Sequence, residues 1–344
     1  MAIVYNVGTT ATQVLAAKQI KENIFMQLVH KNGYGINQVE ETNASTVRLF
    51  KPVKIDLNAR KIGEGTNGGF FNGGDAITTS VSEYDLNLLY VFDGNVDIPE
   101  VQQDMVAINL FDGATKNLGG RCATEINAST IAEQLAVKYN AAQASSTGWA
   151  GNAVVMASGD GAEYKAFLEA STMLDDGDAD NGVQSFPFDE REMIMRPSFR
   201  AALMKTNGVL IGGSNYAQSM LAKGAVSPDA QKEWGTMYVG EIDLTPCYVA
   251  PAALWTRAGE WAGAANAFVK TEAIVCAASA TDRGISTQDY IKVIDSPSGA
   301  GKRLQPKTRW GINVAYPKGI VPILKNDATK PSALLSVNAP GSRA

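Results

Sequence analysis

The side chains that could do chemistry in this chain are few and poorly grouped. One histidine, His30, and three cysteines, Cys122, Cys247 and Cys276, supply the only imidazole and the only thiols. His30 follows an apolar pattern at helical spacing (Val14, Leu15, Ile20, Ile24, Phe25, Leu28), so a structural place in an N-terminal helix is expected for it. A lone histidine in such a structural place removes the histidine-based triads and any multi-histidine metal site. The cysteines form no CxxC pair. Their odd number and wide spacing predict buried free thiols rather than a disulfide framework.

Two glycine-rich stretches imitate cofactor motifs. Gly63, Gly65 and Gly68 satisfy G-x-G-x-x-G, but "GFFNGGDAITTSV" follows, and more glycines with a strand pattern cannot supply the helix N-terminus that pyrophosphate requires. In "SPSGAGKR", Ser296 stands at the first P-loop glycine and Arg303 at the magnesium-binding hydroxyl, so a turn is expected. The acidic run "LDDGDADNG", Leu174 to Gly182, lacks the calcium-loop spacing and its closing glutamate, and a solvated loop after the helix "EYKAFLEASTML" is expected. The remaining carboxylates are scattered. No catalytic, cofactor-binding or metal-ligating residue is assigned, and no cofactor is expected.

The densest mixture of charge lies in "SFPFDEREMIMRPSFRAALMKT", Ser185 to Thr206. It holds Asp189, Glu190 and Glu192 beside Arg191, Arg196, Arg200 and Lys205, around an apolar strand that Pro197 ends. Met193 and Met195 face opposite to Ile194, and a proline is tolerated at a sheet edge. Mixed charge of this kind suits a surface that meets a copy of itself, so Arg191 and Arg196 are candidates for intersubunit pairs. A catalytic arginine is the rival reading.

The elements that must position these residues are bounded by composition. A chain of 344 residues exceeds the commonest single-domain size, and its 19% charged residues fall below the roughly 25% usual for soluble chains. A net charge of −5 without any basic run argues against general nucleic-acid binding. The N-terminus lacks a signal-peptide pattern, and no stretch approaches the length of a membrane span.

Along the chain, "STVRLFKPVKIDL" and "EYDLNLLYVFDG" alternate at period two and predict a long hairpin with a glycine-rich tip. Leu86, Leu88, Tyr90 and Phe92 share one face of its return strand. Phe111, Ala114, Leu118, Cys122, Ile126, Ile131, Ala132, Leu135, Tyr139 and Ala142 predict one long helix interrupted by Gly119 and Gly120, where a bend or a close contact is expected. Beyond it come a helix from Glu163 to Leu174, the strand "EMIMR", a short helix after Pro197, "GEIDLTPCYVAP", "TEAIVCAAS" and a closing strand "TRWGINVAYPKGIVPIL". No βαβ repeat is present, and the class is α+β.

This order resembles that of tailed-bacteriophage major capsid proteins, the Hong Kong ninety-seven phage fold. "REMIMRPSFRAAL" is similar to the strand, proline and helix of that family's axial domain, and "VGEIDLTPCYVAPAAL" to its G-x-I-x-G-x-x-V-Y-x-S segment. "AFVKTEAIVCAAS" is similar to the end of that domain, and "RWGINVAYPKGIVPI" to the strand returning to the peripheral domain. The likeness spans nearly the whole chain. Leu244 and Thr245 depart from it where glycine is common.

The resemblance implies an N-terminal arm (1–54), an extended hairpin loop (55–98), a peripheral domain with a spine helix (99–150), an axial domain (151–280) and a return to the peripheral domain (281–344). It implies a structural rather than enzymatic protein that forms hexamers and pentamers of an icosahedral shell around double-stranded DNA. The implied partners are other copies of itself, a scaffolding protein, a portal protein and a decoration protein, with assembly in the host cytoplasm and no membrane. An arm this short implies a separate scaffold and no N-terminal cleavage. Phe70 and Phe71, the only large apolar groups at the hairpin tip, are further candidates for intersubunit contact. Two other classes stay open: a soluble α+β enzyme with an unrecognised carboxylate site, and a phage tail or adhesin component.

Overall fold

The computed structural model describes residues 19–41, 46–51, 82–98, 110–205, 235–286, 291–295 and 301–340, a few single positions within these ranges excepted. The glycine-rich hairpin tip, with Phe70 and Phe71, and the first part of the N-terminal arm lie outside the described residues.

The chain enters through a helical stretch at residues 21–24 and 26–27, followed by strands β1 (Lys31–Asn32), β2 (Gly35–Glu41) and β3 (Thr46–Lys51). His30 therefore lies in the bend after the helix rather than inside it. Apolar spacing alone cannot see this boundary, because Leu28 and Val29 stay buried after the helical hydrogen bonds have ended. Strand β4 (Ser82–Asn87) pairs antiparallel with β3 from Thr46↔Asn87 to Lys51↔Ser82, as the alternating pattern predicted, but this ladder stops at Asn87 instead of continuing through Phe92 as one return strand. Two residues later β5 (Tyr90–Asp93) and then β6 (Val96–Ile98) leave this ladder and join a larger sheet.

Helix α1 runs over Leu110–Ala144, 35 residues. Residues 126 to 132 are buried on every side, so the helix passes through the molecule instead of lying on it with one dry stripe. Gly120 marks a close contact: a Cβ there would stand 3.0 Å from Oε1 of Gln27. The same approach lets Asn127 bond the incoming chain twice, donating to the Gln27 carbonyl at 2.7 Å and accepting from the Val29 amide at 3.0 Å.

After β7 (Val154–Val155) come α2 (Ala162–Asp175), β8 (Arg191–Met195) and α3 (Pro197–Lys205). These are followed by β9 (Tyr238–Ile242), β10 (Thr245–Val249), α4 (Ala252–Trp261) and β11 (Thr271–Ala277). The last strands are β12 (Thr281–Ser286), β13 (Ile291–Asp295), β14 (Lys302–Val314) and β15 (Ile320–Leu324). A six-stranded sheet has the order β7-β15-β11-β8-β10-β9, and a seven-stranded sheet centres on β14, with β12, β13, β5 and β6 along its two edges and β2 and β1 beyond β12. Helix α1 touches both, packing on β14, β15 and α4.

Two expectations are corrected here, for β8 and for the closing run. Strand β8 is not an edge: it lies between β11 and β10, with all five residues buried, and Pro197 opens α3, where its missing N–H costs nothing. "GEIDLTPCYVAP" folds as a hairpin, turning through Asp243 (φ 49°) and Leu244 (φ 60°). The closing run is two strands, β14 and β15, in different sheets. The turn at Pro317–Gly319 separates them, so this segment stitches the two sheets together.

Candidate functional site

The fold gathers the residue types that could do chemistry at one buried junction. His30 from the N-terminal bend, Glu192 of β8, Cys276 of β11 and Arg283 of β12 are each no more than 1% exposed. His30 Nδ1 is 2.9 Å from Glu192 Oε1 and 3.9 Å from Cys276 Sγ. Arg283 Nη2 donates to the His30 carbonyl and to Gln38 Oε1, both at 2.9 Å. Gly35 allows this closeness, since a Cβ there would stand 2.7 Å from Glu192 Cβ and 2.9 Å from His30 Nδ1.

Cysteine, histidine and glutamate are the types of a thiol nucleophile with its base and orienting acid, but the geometry is unsuited to that work. Thiol and carboxylate address the same ring nitrogen, whereas a relay needs one at each. Burial pushes the Cys276 thiol well above its ordinary range, and Glu192 adds to the effect. Burial, with Arg283 nearby, pushes His30 down to about 3, so the imidazole is neutral at physiological pH. Arg283 is brought down to about 10 by burial, which Glu192 partly offsets, and remains charged. The arrangement joins the N-terminal strands to both sheets. The other two thiols, Cys122 and Cys247, are likewise buried and free.

The two arginine candidates are engaged inside the subunit. Arg191 is fully buried; it donates to the Phe186 carbonyl and Ser171 Oγ, pairs with Asp175 at 2.6 Å and lies 3.9 Å over the Phe188 ring. It is therefore not available for pairing with a neighbour, which corrects the expectation for it. Its role is to fasten the end of α2 to β8. Arg196 is partly buried, donates to the Thr271 and Phe268 carbonyls and stacks 4.8 Å over Trp255. Sequence reasoning placed both in a charged run but could not see the carbonyls that long-range folding brings to them.

In the acidic run, Asp178 is buried rather than solvated, accepting from Asn181 at 2.7 Å and pairing with Lys318 at 3.2 Å. Among the described residues, no group of three or more His, Cys, Asp or Glu side chains is placed to hold a metal ion, and no helix is long and apolar enough to cross a membrane. Lys302 and Arg303 of the P-loop-like run lie in β14, paired with Asp295 and Ile294 of β13, so no helix N-terminus follows the glycines.

Outside the core, the β3–β4 ladder stands as a two-stranded sheet of its own among the described residues. Its root rests on β12 and β14 through Leu86 and Leu88, both buried. Beside the root, Leu89 and Val91 are 75% and 52% exposed.

No family model matches the sequence, and no curated protein matches it. Solved structures do. The capsid of Ralstonia phage GP4 aligns over 87% of this chain and 89% of its own, at 12% identity and a TM-score of 0.55. The mature capsid of bacteriophage PhiM1 aligns over 87% and 88%, at 12% identity and 0.52. The capsid of the cyanophage P-SCSP1u aligns over 86% and 88%, at 12% identity and 0.51. The chain thus has the fold of tailed-phage capsid proteins, the Hong Kong ninety-seven phage fold, with spine helix, hairpin and two sheets in the order that its sequence resembles.

Proposed function

We propose that this chain is the major capsid protein of a tailed bacteriophage. It builds hexamers and pentamers of an icosahedral shell that encloses double-stranded DNA without reading its sequence. The observation that carries this reading is the match of fold to three solved phage capsids over 86–87% of the chain. The separate β3–β4 ladder supports it, because an isolated two-stranded ladder is marginal in water and a neighbouring subunit would cover it. The net charge of −5 suits an inner wall that does not hold the genome by counterion release.

In this reading residues 1–54 are the arm, 55–98 the extended loop, 99–150 and 281–344 the peripheral domain and 151–280 the axial domain. The partners are copies of itself, a scaffolding protein, a portal protein and a decoration protein, and the work is structural. Phe70 and Phe71 contact a neighbour, and Arg196 is the remaining candidate of the arginine pair. Electron microscopy of the protein expressed alone and with the neighbouring phage products tests the proposal. Shells, tubes or capsomer rings are expected, and a small soluble oligomer under every condition would refute it.

A further inference from the structure

Strands β12 and β14 carry glycines directly opposite each other, Gly284↔Gly311. Glycine inside a strand weakens it and packs nothing, so a facing pair calls for a reason. Backbone conformation is not the reason: neither glycine has a positive φ. Close approach is. A Cβ on Gly311 would collide with the Asn87 carbonyl oxygen and stand 3.1 Å from Leu88 Cα, and one on Gly284 would stand 2.7 Å from Leu88 Cδ2 and 3.0 Å from Leu86 Cδ2. The segment lying on this bare floor is the one where the chain leaves the β3–β4 ladder for the large sheet. There β4 ends at Asn87, the Leu89 amide bonds back to the Asn87 carbonyl at 3.0 Å, and β5 begins at Tyr90.

The geometry points to Gly284 and Gly311 as a paired seat that sets the direction in which the hairpin leaves the body, and so where its far end meets a second copy of the chain. The part about the second copy rests on the proposed capsid function; the seat itself does not. The two glycines differ in what they would meet. Gly311 faces backbone, which cannot move aside without moving the ladder. Gly284 faces the ends of two leucine side chains, so an added methyl there can be accommodated by shortening Leu88.

The test uses Gly311→Ala and Gly284→Ala in the full chain, with Gly113→Ala as control, since a Cβ on Gly113 of α1 meets nothing within 4 Å. Nitroxide labels at Asp85→Cys and Lys116→Cys, both exposed positions, report the ladder-to-body distance by pulsed electron resonance, while the three native thiols are buried. Gly311→Ala is expected to retain its circular dichroism, shift the label distance and lose shells. Gly284→Ala is expected to shift the distance less, and Gly284→Ala/Leu88→Ala to restore it. Unchanged distances in both single variants would overturn the seat whatever the assembly result. A wild-type chain that never forms shells would refute the capsid reading while leaving the distance measurements to judge the seat.

Discussion

At the scale of single residues, the buried junction makes a prediction whose sign follows from burial. His30 has a folded pKa near 3, well below the 6.5 of an ordinary imidazole. Above pH 6.5 it is neutral in folded and unfolded chains alike and contributes no pH dependence. Between 6.5 and 3 the unfolded chain takes a proton that the folded chain refuses, so stability falls as pH falls through that window. His30→Gln removes this linkage. Its stability against pH is expected to be shallower than wild type by roughly 1.4 kcal/mol per pH unit between pH 6 and pH 4, read from urea unfolding at each pH. Identical slopes would show that His30 is solvated or already charged. Glu192→Ala is expected to cost more, about 3–5 kcal/mol at pH 7, because it leaves the Arg283 charge buried without the Glu192 carboxylate. A lone histidine on an apolar stretch was legible in the sequence as structural. Its partners were not, since Glu192, Cys276 and Arg283 lie 162, 246 and 253 residues away along the chain and no local pattern links them.

At the scale of elements, strong periodicity was legible and weak turn chemistry was not. Helix α1, the β3–β4 hairpin and α2 followed from spacing alone, because each has a run long enough for its period to show. The β9–β10 hairpin was hidden because its two turn residues are Asp243 and Leu244, where a two-residue turn with both φ values positive favours Asn-Gly or Asp-Gly. The break between β14 and β15 was hidden for a related reason: apolar residues continue on both sides of Pro317, and only the change of sheet separates them. Leu244 carries two local costs, a left-handed backbone that clashes with its Cβ and a side chain 74% exposed. Leu244→Gly removes both and is expected to stabilise the subunit by about 1 kcal/mol, measured as a raised urea midpoint with unchanged slope. A lowered midpoint would mean that the leucine side chain makes contacts within its own subunit that outweigh the backbone relief.

At the scale of the whole molecule, the order of elements carried more than any motif, because order survives where identity has fallen to 12%. The arginines were the counterexample. A charged run looks like surface in sequence, yet Arg191 is enclosed by carbonyls and a carboxylate within its own subunit. In the proposed capsid reading, contact with a neighbour is sought where the chain's own fold offers little cover, and the separate β3–β4 ladder is such a place among the described residues. Gly63, Gly65, Gly68, Gly69, Gly73 and Gly74 fall within a dozen residues around its tip, and ordering such a segment costs about 1 kcal/mol or more per residue. Phe70 and Phe71 are the large apolar side chains there, and burying each against a neighbour would offset about 1.5–3 kcal/mol. Neither gain is available to an isolated chain if the tip meets no surface of its own, and the β3–β4 ladder next to it in sequence is a separate two-stranded sheet among the described residues. The double variant Phe70→Ser/Phe71→Ser is accordingly expected to keep the circular dichroism and solubility of the wild-type subunit while shell assembly is weakened or blocked in sedimentation. Normal shells with unchanged thermal stability would remove the aromatics from the interface. An unfolded or insoluble subunit would instead place them in the subunit's own core, where the hairpin would be a stabilising flap and not a reaching arm.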